Sequence, residues 1–192
     1  MGDLMRDESL DDQVSRLSAE LEHFRNRELA TSQILSTINQ SREDEKPVFD
    51  AILENAARLC DSPSARLMLV SEDQREFRVA SSWGAHLRGV KVGDRTTLDP
   101  ELSLSRCVLE ARVIHQADLR ESAAYKSGNP TAKRIVEQEG VRTILFVPLV
   151  PNKRVIGVIA LSKLEVAPFT DEDMVLVELF AEQAVTAIEN VS

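Results

Sequence analysis

Histidine and cysteine are the side chains best able to ligate metals, move protons or attack near neutral pH. This chain has few of them: His23, His86 and His115, with Cys60 and Cys107. Each histidine stands alone, without the spaced partners that a zinc site requires. Two cysteines are too few for a disulfide framework or a cysteine-built zinc site. There is no GxxxxGK phosphate loop, no HExxH zinc helix and no GxSxG nucleophile elbow. The acidic run Asp171-Glu172-Asp173 lacks the spacing and the glycine of a calcium loop and reads as the opening of a helix. Residue types and spacing give no sign of turnover, so no catalytic residue and no metal ligand is assigned.

Charge and composition narrow the partners. The 192 residues carry 23 basic and 32 acidic side chains, a net charge of −9. That sign is wrong for a nucleic-acid binder, which needs a basic face, and 4% aromatic residues leave few stacking platforms for bases. At 43% hydrophobic and 29% charged, the chain can bury a core, one domain of ordinary bulk plus an appendage. The longest apolar run, Ile144 to Val150, is too short to cross a bilayer and contains Pro148. The opening MGDLMRDESLDD is acidic and unlike a secretory signal, and Arg6 stands where a myristoylation motif needs Ser or Thr. The expectation is a soluble cytoplasmic protein with neither a nucleic-acid nor a membrane partner.

The elements that must position any site fall into two parts. Over residues 1–46, Leu10, Val14, Leu17, Leu21 and Phe24 step by four and three, the seam of a two-stranded coiled coil. Glu28 and Thr31 interrupt the stripe before Leu35 and Ile38 restore it, and residues 41–46 form a charged hinge. Over residues 47–192, a helix from Pro47 to about Cys60 precedes a hairpin of Ala65–Val70 and Glu76–Trp83. In its second strand Phe77, Val79, Ser81 and Trp83 are expected on one face. A short strand is expected around Val90–Val92, a helix from Asp99-Pro100 to Glu110, a strand at Val113–Gln116 and a polar loop from Asp118 to Gly128. Asn129-Pro130 starts a helix that Gly140 stops. Thr143–Val150 and Arg154–Lys163, apolar on both faces, belong in the middle of a sheet, and Thr170 caps a final helix. This order predicts an α+β sandwich around an antiparallel sheet, with a long coiled-coil-like helix at the amino terminus.

Three segments, SLSRCVLEARVIHQADL (103–119), GVRTILFVPLVPNKRVIGVIAL (140–161) and APFTDEDMVLVELFAEQAVTAIEN (167–190), resemble the GAF domains of bacterial sensor histidine kinases, cyclases and related signalling proteins. The resemblance covers roughly residues 30–191. It implies a central antiparallel sheet with helices on one side and a ligand cavity on the other, roofed by the segments between Gly84 and Gly140. It also implies that the terminal helices pair with a second copy in a parallel homodimer.

Motifs within the family sharpen that expectation. The Asn-Lys, Phe, Asp-Glu pattern of cyclic-nucleotide-responsive GAF domains is met here by Ser162-Lys163, Phe169 and Asp173-Met174. The missing Asn and Glu argue against a cyclic nucleotide and leave a Lys163–Asp173 ion pair as a structural clasp. Bilin-carrying relatives attach their chromophore to a Cys near the helix that here begins at Asn129, where this chain reads NPTAKR. A haem would need His86 or His115 as axial ligand, and the GAF-fold sulfoxide reductases use a set of cysteines that Cys60 and Cys107 do not resemble. His23 sits in a sequence faintly similar to the phospho-accepting helix of a histidine kinase, but no ATP-binding boxes follow it.

The family places cavity walls and lids where Trp83, His86, Arg88, His115, Asp118, Tyr125, Lys126 and Arg142 occur, and Trp83, His115, Asp118, Tyr125 and Arg142 are taken as ligand-binding. No cofactor is named, and the small-molecule ligand is left open. The function implied is a non-catalytic sensory module of a two-component or similar signalling protein, relaying occupancy through dimeric helices. The apolar stripe still running at Ile188–Val191 points toward a C-terminal effector. A ligand-free dimerisation spacer and a GAF-fold redox enzyme are the alternatives.

Overall fold

The apolar runs at Ile144–Val147 and Val158–Leu161 require cover on both sides, and the surrounding elements supply it. The computed structural model describes residues 10–40, 45–84, 89 and 91–191. Helices α1 (Leu10–Gln40) and α2 (Lys46–Leu59) lead into strands β1 (Ser64–Val70), β2 (Glu76–Trp83) and β3 (Arg95–Thr97). Then come α3 (Ser103–Glu110), β4 (Ile114–Gln116), a 3-10 turn (Leu119–Glu121), α4 (Ala123–Ser127), α5 (Pro130–Lys133) and a π-helical segment (Arg134–Gln138). Strands β5 (Thr143–Leu149) and β6 (Gly157–Lys163) and helix α6 (Asp171–Val191) complete the chain. The six strands pair antiparallel in the order β3-β2-β1-β6-β5-β4.

Side chains alternate across these strands and sort the interior into two clusters. Ala65, Leu67, Leu145, Val147, Ile159 and Leu161 face α2 and α6, with Phe49, Ile52, Leu53, Val177 and Phe180 buried among them. Met68, Val79, Ile144, Phe146, Val158 and Ala160 face the other way, under α3 and the short segments that follow. Gly157 lets β6 run close beside β1: a Cβ there would lie 2.7 Å from the Met68 carbonyl oxygen.

Several expectations are corrected. Ser81 and Trp83 do not share the face of Phe77 and Val79. Leu67 pairs with Ser81 and Met68 with Val79, so Ala80 is an extra residue. That bulge reverses the alternation: Val79 joins the cluster under the short segments, while Ala80 and Trp83 pack on the helix side. The short strand after the first hairpin is Arg95–Thr97, exposed and polar, and Lys91 and Val92 precede it in a turn. Residues 118–128 are not one loop. Asp118 caps the 3-10 turn by accepting from the Arg120 amide, and Ser122 caps α4 by accepting from the Tyr125 amide. The helix expected to run from Asn129 to Gly140 is α-helical for four residues and then π.

At the ends of the chain, Thr170 Oγ1 accepts from the Asp173 amide while the Asp173 carboxylate accepts from the Thr170 amide, a reciprocal cap that starts α6. Asp173 is therefore used in the cap, and Lys163 lies 4.4 Å from the centre of the Phe169 ring instead of pairing with it. Helix α1 meets the core through Ala30 and touches α2 and α6. Val14, Leu17, Leu21 and Phe24 on it are all more than half exposed. Residues 41–44 of the expected hinge lie outside the described residues.

Candidate functional site

The two faces of the sheet are covered differently, and the difference leaves a hollow. A cavity of about 160 Å³ lies on the face opposite α2 and α6. Arg66 and Met68 of β1, Ile144 and Phe146 of β5, and Ala160 and Ser162 of β6 line its floor. Leu104 of α3, Leu119, Ala124, Ala132 and Val136 line the other side. A mostly apolar hollow with a few polar groups converging on it is the usual design of a small-molecule site. Its volume is close to that of an engineered protein cavity that takes up benzene, about 150 Å³.

The roof is made of segments too short to be stable helices alone, and side-chain caps hold the 3-10 turn, α4 and α5. Asn129, 7% exposed, is the central tie. Its Oδ1 accepts from the amides of Thr131 (3.0 Å) and Ala132 (3.1 Å) at the start of α5. Its Nδ2 donates to Asp99 (2.8 Å) and Glu101 (3.0 Å), binding α5 to the approach to α3. Gly128 takes a left-handed φ of 86°, which turns the chain from α4 into this cap. At the far end of the roof Arg142 donates to Asp118 from Nε (3.1 Å) and Nη2 (2.7 Å). That fork, with the Arg120 amide, holds the Asp118 carboxyl below the usual carboxylate range and pushes the Arg142 guanidinium upward. Arg134 and Glu139, which bracket the π segment, pair with each other at the cavity wall.

The model of the GAF domain family matches residues 42–189. The chain belongs to the GAF domain family. No curated protein matches it in sequence. Among solved structures it is similar to the phycoerythrobilin-bound GAF domain of a cyanobacterial phytochrome, with 13% identity, 88% of this chain and 97% of that one covered, and a TM-score of 0.69. It is also similar to the GAF domain of a phosphoenolpyruvate-protein phosphotransferase from Coxiella burnetii, at 17% identity, 86% and 94% coverage and a TM-score of 0.68. A free methionine-R-sulfoxide reductase from Neisseria meningitidis, solved with its substrate, matches at 16% identity, 88% and 92% coverage and a TM-score of 0.67.

None of the five residues expected to bind ligand belongs to the lining of this GAF cavity. Trp83, at the end of β2, packs against the core on the helix side. His115 of β4 accepts at Nε2 from the Phe169 amide (3.2 Å) and meets the Phe169 ring edge-on, which ties β4 to the approach of α6. Burial lowers the His115 pKa, and Lys163 adds to that shift. Asp118 and Arg142 are brought together in the pair described above. Tyr125 of α4 donates from its hydroxyl to Glu137 (3.3 Å), joining α4 to the π segment. Lys126 pairs with Glu121 on the surface, while His86 and Arg88 lie outside the described residues.

Arg66, a charged residue of the cavity floor, is absent from the expected set. Its signal is the single charge in the strand sequence SARLMLV, where every other side chain is small or apolar. Cys60 and Cys107 are both buried and belong to opposite clusters, and burial pushes the Cys107 thiol up to about 12. No group of three or more His, Cys, Asp or Glu residues able to hold a metal occurs among the described residues. None of the described helices is long and apolar enough to cross a membrane.

Proposed function

We propose that this GAF domain is a sensory or regulatory module that works by binding a small molecule and not by turnover. The carrying observation is the cavity: an apolar hollow floored by the central strands and roofed by short segments, three of them capped by side chains. Such a roof can rearrange at small cost, because each piece is held by a few hydrogen bonds and not by a long packed face. Occupancy then reaches the rest of the molecule through β4 and the Phe169 junction at the start of α6. A ligand that favours one arrangement by about 1–3 kcal/mol is enough to change an output several-fold.

Residues 1–46 act in this scheme as the signalling helix and hinge, and residues 47–192 as the sensing domain, working in the cytoplasm. The output surface is a homodimer formed through α1 and α6. The exposed Val14, Leu17, Leu21 and Phe24 of α1 and the exposed Val175 and Leu179 of α6 support it. An effector joined beyond α6 would receive the signal. Cys60 and Cys107, buried apart on opposite sides of the sheet, favour binding over the redox chemistry of a sulfoxide reductase.

Native mass spectrometry of protein purified from cells, with a thermal-shift screen of small metabolites, tests the binding step. A retained mass or a raised Tm supports it, and a bare chain that no compound stabilises favours the spacer reading. Sedimentation tests the dimer: the wild-type chain is expected to sediment as a dimer at micromolar concentration, and Leu17→Glu with Leu21→Glu to yield monomer. A wild-type monomer that these changes leave unaltered would refute the dimer.

A further inference from the structure

The buried polar groups that converge on the cavity are committed to the protein itself. Ser162 Oγ shares a hydrogen bond with Ser64 Oγ (2.6 Å). Ser105 Oγ donates to the Asp99 carbonyl oxygen. Ser122 Oγ donates to the Leu119 carbonyl oxygen (2.7 Å) and accepts from the Tyr125 amide. All three serines are buried. The other hydroxyls of the lining, on Thr96, Thr97, Ser103 and Thr131, belong to residues that solvent reaches, so they keep water as a partner.

The charges are committed in the same way. Two cations of the lining, Arg66 and Arg134, face two carboxylates, Asp99 and Glu139, so their signs balance. Arg134 and Glu139 bond to each other, and Asp99 accepts from Asn129. Arg66 is engaged as well, and the carboxylates of Glu139 and Asp94 favour its charged form against the effect of burial. A charged guest would have to give up its water and compete with pairs already made, a double cost inside a protein. What the hollow offers freely is apolar surface. We propose that the ligand of this cavity is a small uncharged apolar molecule of single-ring size, held by packing against Met68, Phe77, Ile144 and Phe146 of the sheet and Leu104 and Val136 of the roof. The proposal rests on the cavity being a binding site, as argued above, and adds the chemical class of what enters it. A hollow of about 160 Å³ has room for about six to eight carbons.

The test titrates the full chain, at fixed ionic strength and neutral pH, with four probes followed by NMR at the Met68 and Ile144 methyl groups. These are toluene, its anionic counterpart benzoate, its cationic counterpart benzylammonium, and naphthalene as a two-ring probe of size. Toluene is expected to bind at least about tenfold more tightly than either ion, and more tightly than naphthalene. Ala160→Leu, which adds atoms where the hollow is, is expected to abolish the toluene shifts. Benzoate or benzylammonium binding as tightly as toluene, naphthalene binding more tightly than toluene, or toluene shifts that survive Ala160→Leu overturn the proposal. An ion that binds more tightly than toluene and is lost in Ala160→Leu overturns the uncharged class but leaves the cavity standing as a site. Failure of all four probes to shift either methyl overturns both readings. If Ala160→Leu does not fold, intermolecular NOEs from toluene to the two methyls of the wild-type chain locate the guest, and their absence overturns the proposal.

Discussion

The two faces of the sheet are made by the same strands and have different interiors. On one, Leu67, Leu145, Ile159 and Leu161 meet α2 and α6, helices of 14 and 21 residues whose apolar sides fill the space between them. On the other, Met68, Ile144, Phe146 and Ala160 meet pieces of three to eight residues, and about 160 Å³ stays open. Long helices bring side chains at regular spacing and pack to crystal-like density. Short capped pieces are placed by their hydrogen bonds, so their side chains cannot all be driven inward. Stability is therefore concentrated on the first face, and room for a guest on the second.

The sharpest way to break this contrast is Leu161→Ala, on the filled face and fully buried. It is expected to cost about 3 kcal/mol in urea denaturation. Ala56→Leu and Ala160→Leu add the same atoms to opposite faces. Ala56 of α2 is fully buried in the cluster on the helix side, and overpacking there is expected to cost about 1–3 kcal/mol. Ala160 borders the cavity, so Ala160→Leu is expected to stay within about 1 kcal/mol of wild type while abolishing ligand binding. Equal penalties would mean that the hollow collapses in solution.

Smaller effects follow in the roof and at the junction with α6. Asn129→Ala removes the cap of α5 and its ties to Asp99 and Glu101, and is expected to cost about 1–2 kcal/mol. Its larger consequence should be faster hydrogen exchange in residues 123–139 than in α2. The smallest effect concerns pH. His115 is held neutral by burial and by Lys163, with a folded pKa below the ordinary 6.5. The unfolded chain therefore binds the extra proton first. Stability from His115 is complete above the unfolded value and is lost as pH falls through the folded one. Denaturation series across that window should show the loss in wild type, and His115→Gln, which keeps an acceptor for the Phe169 amide, should lack it.

Sequence reading succeeded where one force dominates a segment. The doubly apolar β5 and β6 had to be central, and Thr170 and Asn129 signalled helix starts that the structure contains. It failed where the outcome depends on partners distant in sequence. The Ala80 bulge appears in the register with β1, and nothing in EFRVASSW announces it. Residues 118–128 looked like a loop because the 3-10 turn and α4 are held by Asp118, Ser122 and the distant Arg142, not by periodicity. The cavity was hidden for a related reason. Most of its lining is apolar, and Met68, Ile144 and Phe146 read as ordinary core until the space above them is seen. The polar residues of the roof segments drew attention, yet Asp118, Tyr125 and Arg142 are occupied in fastening those segments together.

The π-helical turn at Arg134–Gln138 follows directly on the α-helical residues 130–133, and its hydrogen bonds skip one residue further along the chain than theirs do. That stretch of wall thus holds slack: one residue beyond what a regular spiral of the same rise would use. Drawing the turn tight would swing the connection that directly follows it by about 100° and carry Glu139 and Val141 away from the hollow they now border. Removing a single residue there would convert the spare turn into plain α-helix, changing the shape of the chamber while leaving the strands beneath it in register.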